Sequence, residues 1–221
     1  MTMFRKVAPE EVNRKLLHGL VVILPLGIFY APTLFELDRT AMAALVFVLL
    51  LISIFVEVFR QRNVYFGEWF HITFGSMLRT EERNHLTGAT YVVGATFLCA
   101  WMSTASETMA ACSCLALTLF ILGDAVAALV GKSIGRIRIG EKTLEGAVGC
   151  FVLCLVLAYW VFPRLPGFLD AWGGGLSWMH AIVVGSSVAL LELFPVKLGH
   201  LQLNDNLYVP VLVTMIAYAV C

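Results

Sequence analysis

Gly123–Gly146, GDAVAALVGKSIGRIRIGEKTLEG, joins two long apolar runs, and its reading decides the fold. The run before it ends in a carboxylate, Asp124. Small residues then recur every four positions, at Gly123, Ala127, Gly131 and Gly135. On a helix this spacing stacks them on one face and leaves a groove without side chains. A short basic loop follows, with Lys132, Arg136, Arg138, Gly140 and Lys142, and Thr143-Leu144-Glu145-Gly146 opens the next apolar helix. Two apolar helices joined by a cationic loop make a membrane hairpin, and the same small-residue spacing serves helix packing in membranes. The added carboxylate and helix start also suit a metal–polyphosphate. Asp124 offers a hard oxygen ligand, the cations neutralise phosphate oxygens, glycine admits the backbone, and a helix N-terminus favours anions.

Composition extends this reading to the whole chain. Of 221 residues, 60% are hydrophobic and only 14% are charged, against about 25% charged in soluble domains. The expectation is one all-α, polytopic transmembrane bundle over 1–221, with no second domain. Net charge is zero, so there is no basic surplus to recruit nucleic acid. The cysteines Cys99, Cys112, Cys114, Cys150, Cys154 and Cys221 lie in apolar segments and read as small hydrophobes.

About seven spans are expected: Leu16–Phe35, Thr40–Phe59, Leu86–Ser103, Thr108–Val130, Leu144–Phe162, Leu176–Phe194 and a short Leu207–Cys221. Residues 1–15 form a polar, basic lead-in. Within 62–80, Phe66, Trp69, Phe70, Phe74, Met77 and Leu78 fall at helical spacing between Glu68, His71 and Arg79, which reads as an interfacial amphipathic helix. Of the 15 Lys and Arg, the expected outer side has only Arg39 and Arg164. The basic loops and the N-terminus are therefore expected in the cytoplasm.

That topology gathers the polar motifs at one face. Arg14, Lys15 and His18 enter the first span there, and Glu57 leaves the second with Arg60. Thr87 enters the third, Asp124 and the cationic loop follow, Glu192 leaves the sixth, and Asp205-Asn206 enters the seventh. Ionisable groups at the rim of hydrocarbon are costly unless paired, hydrated or binding something. Plainer readings exist: Glu57 paired with Arg60, Glu192 with Lys197, Asp205 as an N-cap.

The motifs also resemble a family. RKxxH at Arg14–His18, LTGAT at Leu86–Thr90, GDxxAxxxGxxxG at Gly123–Gly135, KTxEG at Lys142–Gly146 and a late pattern of Glu192, Asp205, Asn206 and Pro210 are similar to the CTP-dependent lipid-alcohol kinases. These are the dolichol, phytol and CTP-using diacylglycerol kinases. Where the family pattern has two acids before the late asparagine, this chain has Asn204-Asp205. The resemblance implies phosphoryl transfer from CTP to a polyprenol, dolichol, phytol or diacylglycerol hydroxyl, with Mg²⁺ or another divalent cation. Asp124 and Asp205 would hold the metal. Lys142, with Arg136 or Arg138, would neutralise the transferred group, and Gly123, Gly131, Gly135, Thr143 and Gly146 would line the phosphate path. Glu145 or Glu192 would be the base, with Arg14, Lys15, His18, Glu57, Thr87 and Asn206 around them. The rivals are a CDP-lipid synthase, whose late basic–aspartate signature is missing, and a transporter, which would spread its polar groups through the membrane depth. Oligomeric state, including a homo-oligomer, stays open.

Overall fold

The structure is a computed structural model. It describes residues 9–75, 78, 82, 85–198 and 201–221. The described chain is all-helical apart from two tiny hairpins. In order run α1 (Pro9–Leu20), α2 (Ile23–Leu34), α3 (Arg39–Arg62), α4 (Val64–Phe74), α5 (Gly88–Met102), α6 (Glu107–Ile134), β1 (Arg138–Ile139), β2 (Lys142–Thr143) and α7 (Leu144–Val156). A π turn at Leu157–Val161 and a 3₁₀ turn at Phe162–Arg164 extend α7. Then come α8 (Phe168–Trp172), α9 (Trp178–Leu193), β3 (Lys197–Leu198), β4 (Leu201–Gln202) and α10 (Asp205–Val220).

Among the described residues, four helical segments are long and apolar enough to cross a membrane: Glu11–Leu34, Arg39–Arg62, Glu107–Ile134 and Leu144–Arg164. They account for four of the about seven expected spans. The other three expected spans are helices of 15, 16 and 16 residues, α5, α9 and α10. At 1.5 Å per residue each is roughly 23 Å long, against about 30 Å of hydrocarbon. Their shortness has a local cause: α5 and α10 begin, and α9 ends, at the polar groups described below.

The first long segment is interrupted at Val21-Val22. Pro25 cannot donate a backbone hydrogen bond and its ring crowds the Val21 carbonyl one turn earlier. The Val21 and Val22 N–H groups instead close tighter turns onto His18 and Gly19. Several other helix starts carry side-chain caps readable in sequence. Ser106 accepts from Met109 N–H, Thr143 from Gly146, Ser177 from His180 and Asn204 from Asn206.

α6 is the central post. It packs against α1, α2, α5, α7, α8, α9 and α10, and 56% of its most apolar window is buried, against 17–28% in the other three long segments. Its first half carries Ala110, Ala111, Cys112, Ser113, Cys114 and Ala116, all without exposure. Small side chains let so many neighbours reach one axis.

The small-residue stripe is part of that packing, which corrects its reading as an open phosphate groove. A Cβ at Gly131 would stand 2.5 Å from Thr143 Oγ1, and one at Gly146 would stand 2.5 Å from the Ala127 carbonyl oxygen. Gly123 and Gly135 are closed by Cys150 Sγ and Thr143 Cγ2, both 2.7 Å from an added Cβ. The start of α7 therefore fills the groove, and the backbone of these four glycines meets protein.

α4 is shorter than the expected 62–80 helix, of which Met77 and Arg79 lie outside the described residues. It folds back on α3 through Asn63, with Phe66 5.0 Å from Phe59 and the Arg60 guanidinium 5.3 Å from the Phe70 ring centre. Tyr65 and Ile72 project outward, 86% and 87% exposed.

Candidate active site

Three buried polar groups form at the end of the bundle where α1, α6 and β2 converge with the end of α9 and the start of α10. The first is centred on Asp124. Lys15, 5% exposed, reaches from α1 and donates to Asp124 Oδ2 at 2.5 Å, and His18 Nε2 lies 3.5 Å from the same oxygen. The RKxxH spacing explains the pair: positions 15 and 18 share a helix face. Arg14 faces elsewhere. It pairs with Glu11 at 2.6 Å, and Glu11 in turn takes Lys132 at 2.9 Å.

The second is centred on Lys142. The β1–β2 hairpin, with Ile139 opposite Lys142, turns its ammonium inward between Glu192 of α9 and Asp205 of α10. Asp205 Oδ2 accepts at 2.7 Å, and Glu192 Oε1 accepts directly. Glu192 is 3% exposed, and its second oxygen, Oε2, is buried with no hydrogen-bond partner among the described residues. The two groups form one electrostatic unit, since Glu192 feels both Asp124 and Asp205, and Asp124 feels Lys142. Burial pulls the Lys142 pKa down, but Glu192 and Asp205 together hold it above the ordinary lysine value. Two ammonium groups thus sit among three carboxylates, with His18 beside them.

The third group lies next door. Glu57 and Arg60, one turn apart on α3 and 3% and 4% exposed, pair at 2.5 Å. Glu57 Oε1 accepts from the Thr87 hydroxyl at 2.6 Å and the Thr87 N–H at 3.2 Å. Arg60 donates to the carbonyls of Glu82 and His85, tying down the segment before α5. The Asn206 side chain bridges this group to the second, donating to the Gly88 carbonyl at 3.4 Å while its neighbour Asp205 holds Lys142.

The structure therefore brings together Lys15, His18, Asp124, Lys142, Glu192 and Asp205, and Asn206, next to Asp205, links them through the Gly88 carbonyl to the neighbouring group of Thr87 and Glu57. It does not bring in Glu145. That carboxylate accepts the backbone N–H groups of Arg136 and Ile137, at 2.9 and 3.2 Å, and so staples the cationic loop to the first turn of α7. Its expected role as a base is corrected on that ground. Arg136 and Arg138 are exposed and form no ion pair among the described residues. The loop beyond Glu192 fits the plain reading only partly, because Glu192 takes Lys142, and the side chain of Lys197 lies outside the described residues.

Asp124 and Asp205, expected as a metal pair, are each engaged by a lysine. Among the described residues no cluster of three or more His, Cys, Asp or Glu could hold a metal ion. A phosphate-borne Mg²⁺ needs less than such a cage, one or two carboxylates with the phosphates and water supplying the rest. Of the two expected ligands Asp205 is the more open, its side chain 20% exposed against 12% for Asp124.

Sequence reasoning missed Glu82, whose carboxylate accepts the Gly88 N–H at 2.9 Å. Its signal was the acidic pair Glu81-Glu82 between Arg79 and Arg83. An apolar hollow of about 380 Å³ also went unseen. It is lined by Val130, Ile134, Ile137, Leu144, Val148 and Gly149, with Glu145 at its wall.

In comparison with known proteins, no family model matches the chain. The chain is similar to an uncharacterized protein of Rickettsia prowazekii (strain Madrid E), 26% identical over 203 residues that cover 90% of this chain and 89% of the other. No solved structure matches.

Proposed function

We propose that the protein is a CTP-dependent kinase of membrane lipid alcohols. The observation that carries the reading is Lys142, held between Glu192 and Asp205 within the field of Asp124. Four elements distant in sequence supply these groups, and they meet beside an exposed cationic loop. In this reading α5, α9 and α10 complete a seven-span bundle, with the cationic loops in the cytoplasm.

Phosphoryl transfer asks the protein for positioning and charge cancellation more than for covalent chemistry. Lys142 is a cation already placed among acids, suited to a phosphate that displaces them. Arg136 and Arg138 lie exposed one strand away to steer and neutralise the nucleotide tail. Glu192 is the group best suited to take the lipid hydroxyl proton, because one of its oxygens is buried and unbonded among the described residues. Asp205, with Asp124 nearby, would hold Mg²⁺, which when bound neutralises phosphate oxygens and aligns them. Lys15 and His18 keep Asp124 oriented. The apolar hollow beside Leu144 and Val148 accommodates part of the lipid chain at the loop's level.

The test is purified full-length protein in detergent with γ-labelled CTP, Mg²⁺ and a panel of polyprenol, dolichol, phytol and diacylglycerol. Label in a lipid phosphate, with CDP released, supports the reading. CDP-lipid and pyrophosphate formed from phosphatidate would assign a cytidylyltransferase instead. No transfer to any acceptor rejects both.

A further inference from the structure

The hub that carries the ion cluster at one end carries a thiol pair at the other. α10 starts at Asp205 beside Lys142 and runs 16 residues away from it, about 24 Å along its axis. Cys112 lies three turns before Asp124 on α6. Where α10 ends, the Cys221 thiol turns inward, donates to the Trp172 carbonyl at 2.5 Å and neighbours the Cys112 thiol. Cys112 and Trp172 belong to one core cluster. Cys221 is exposed, whereas Cys112 is sealed. This is the arrangement of an attacking thiol that a reagent can reach and a resolving thiol behind it. The other neighbouring cysteines, Cys150 and Cys154, lie one turn apart on α7 with no exposure, so no reagent reaches them.

The charge asymmetry of the chain fixes which side this end should face. If the Lys- and Arg-rich loops lie in the cytoplasm, the thiol pair opens on the opposite compartment, where disulfides form and persist. We propose that Cys112 and Cys221 are a modification site, an oxidisable pair whose disulfide ties the end of α10 to α6 at the Lys/Arg-poor face. The oxidant is a disulfide-bonded donor protein of that compartment. Cys221 attacks the donor disulfide, forming a mixed disulfide and releasing one donor thiol. Cys112 then attacks Cys221 Sγ, closing the internal bond and releasing the second. Two thiol protons and two electrons pass to the donor, which leaves as a dithiol. The inference is independent of any reaction at the other end of the bundle.

The test uses the full chain in its membrane. Cells are quenched in acid, and free thiols are alkylated with N-ethylmaleimide under denaturing conditions. The protein is then reduced and labelled with iodoacetamide, and peptides are mapped by mass spectrometry. Cys112 and Cys221 should carry the second label, and Cys99, Cys114, Cys150 and Cys154 the first. In Cys221→Ser, Cys112 should move to the first label. Finding both Cys112 and Cys221 with the first label overturns the proposal, as does a bridge to any other cysteine or a Cys221-linked dimer. As a second measurement, copper–phenanthroline on the folded, purified protein should join the two residues. Failure there refutes the juxtaposition itself.

Discussion

The sharpest consequence of the site concerns the Lys15–Asp124 pair. Both side chains are buried, 5% and 12% exposed, and the contact is 2.5 Å. At that separation, an effective dielectric of 20 gives a gross attraction of about 6–7 kcal/mol, most of it cancelled by the cost of removing two charges from water. The net worth of the pair is therefore small, but the cost of breaking it is large. Asp124→Asn strands the Lys15 ammonium and Lys15→Met strands the Asp124 carboxylate, so each should destabilise by about 3–5 kcal/mol. The Lys15→Met/Asp124→Asn double variant removes both charges and should cost only about 1–2 kcal/mol, which is a coupling of about 4–9 kcal/mol between the sites. Equilibrium unfolding in mixed micelles, following the four variants of the cycle, reads these values directly. His18, 3.5 Å from the same carboxylate, shares part of the Asp124 charge, so Lys15→Met should be the milder single change. Single changes below about 1 kcal/mol with no coupling would mean that the pair is solvated, and the picture of a dry ion cluster would fall with it.

Other outcomes follow from the same contacts. Gly131→Val should cost several kcal/mol and separate α6 from α7, because its first added carbon already stands 2.5 Å from Thr143 Oγ1; thermal unfolding in detergent checks this, and a wild-type midpoint would refute the packing role. Glu57→Gln removes the carboxylate that pairs with the buried Arg60 guanidinium and should cost about 3 kcal/mol, read as a lowered unfolding midpoint that Glu57→Gln/Arg60→Met partly restores. Glu145→Ala removes the staple on Arg136 and Ile137; trypsin should then cut after Arg136 or Arg138 several-fold faster, while the overall unfolding midpoint moves little. Lys142 has a raised folded-state pKa, so its contribution to stability is complete below the ordinary lysine value of about 10.4 and is lost as pH rises through the folded value. Unfolding followed from pH 8 to 11.5 should show a loss above about pH 10 that is missing in Lys142→Met.

Much of this was legible before any coordinates. Helix positions followed from apolar runs bounded by Pro, Gly and capping residues, and the observed starts at Glu107, Leu144 and Asp205 sit within a few residues of those expected. The meeting of Lys142, Glu192 and Asp205 could be expected only from alternation of sides, which says which face a residue reaches but never whom it touches there. The glycine stripe shows the limit most clearly. Small residues every four positions signal a close approach, and the approach is real, but whether a phosphate or a neighbouring helix makes it depends on the register of α7 against α6. Thr143 and Gly146 occupy that space, and nothing local in Gly123–Gly135 encodes it. Glu145 failed for a related reason: its carboxylate was judged by chemistry, while its loop offered two nearer backbone donors.

The length of the helices and the position of the charges are one fact seen twice. α5, α9 and α10 stop short of a bilayer's thickness at the polar end of the bundle, and the residues at their termini are Thr87, Glu192 and Asp205. A helix that continued past those points would carry its carboxylate into hydrocarbon, at a cost of several kcal/mol. Ending the helix instead frees backbone donors and acceptors that need partners, and these are supplied within the protein by Glu57, Glu82 and Asn204. Non-helical backbone at membrane depth is tolerated only where protein or water lines it, and here the side chains of the polar groups line it.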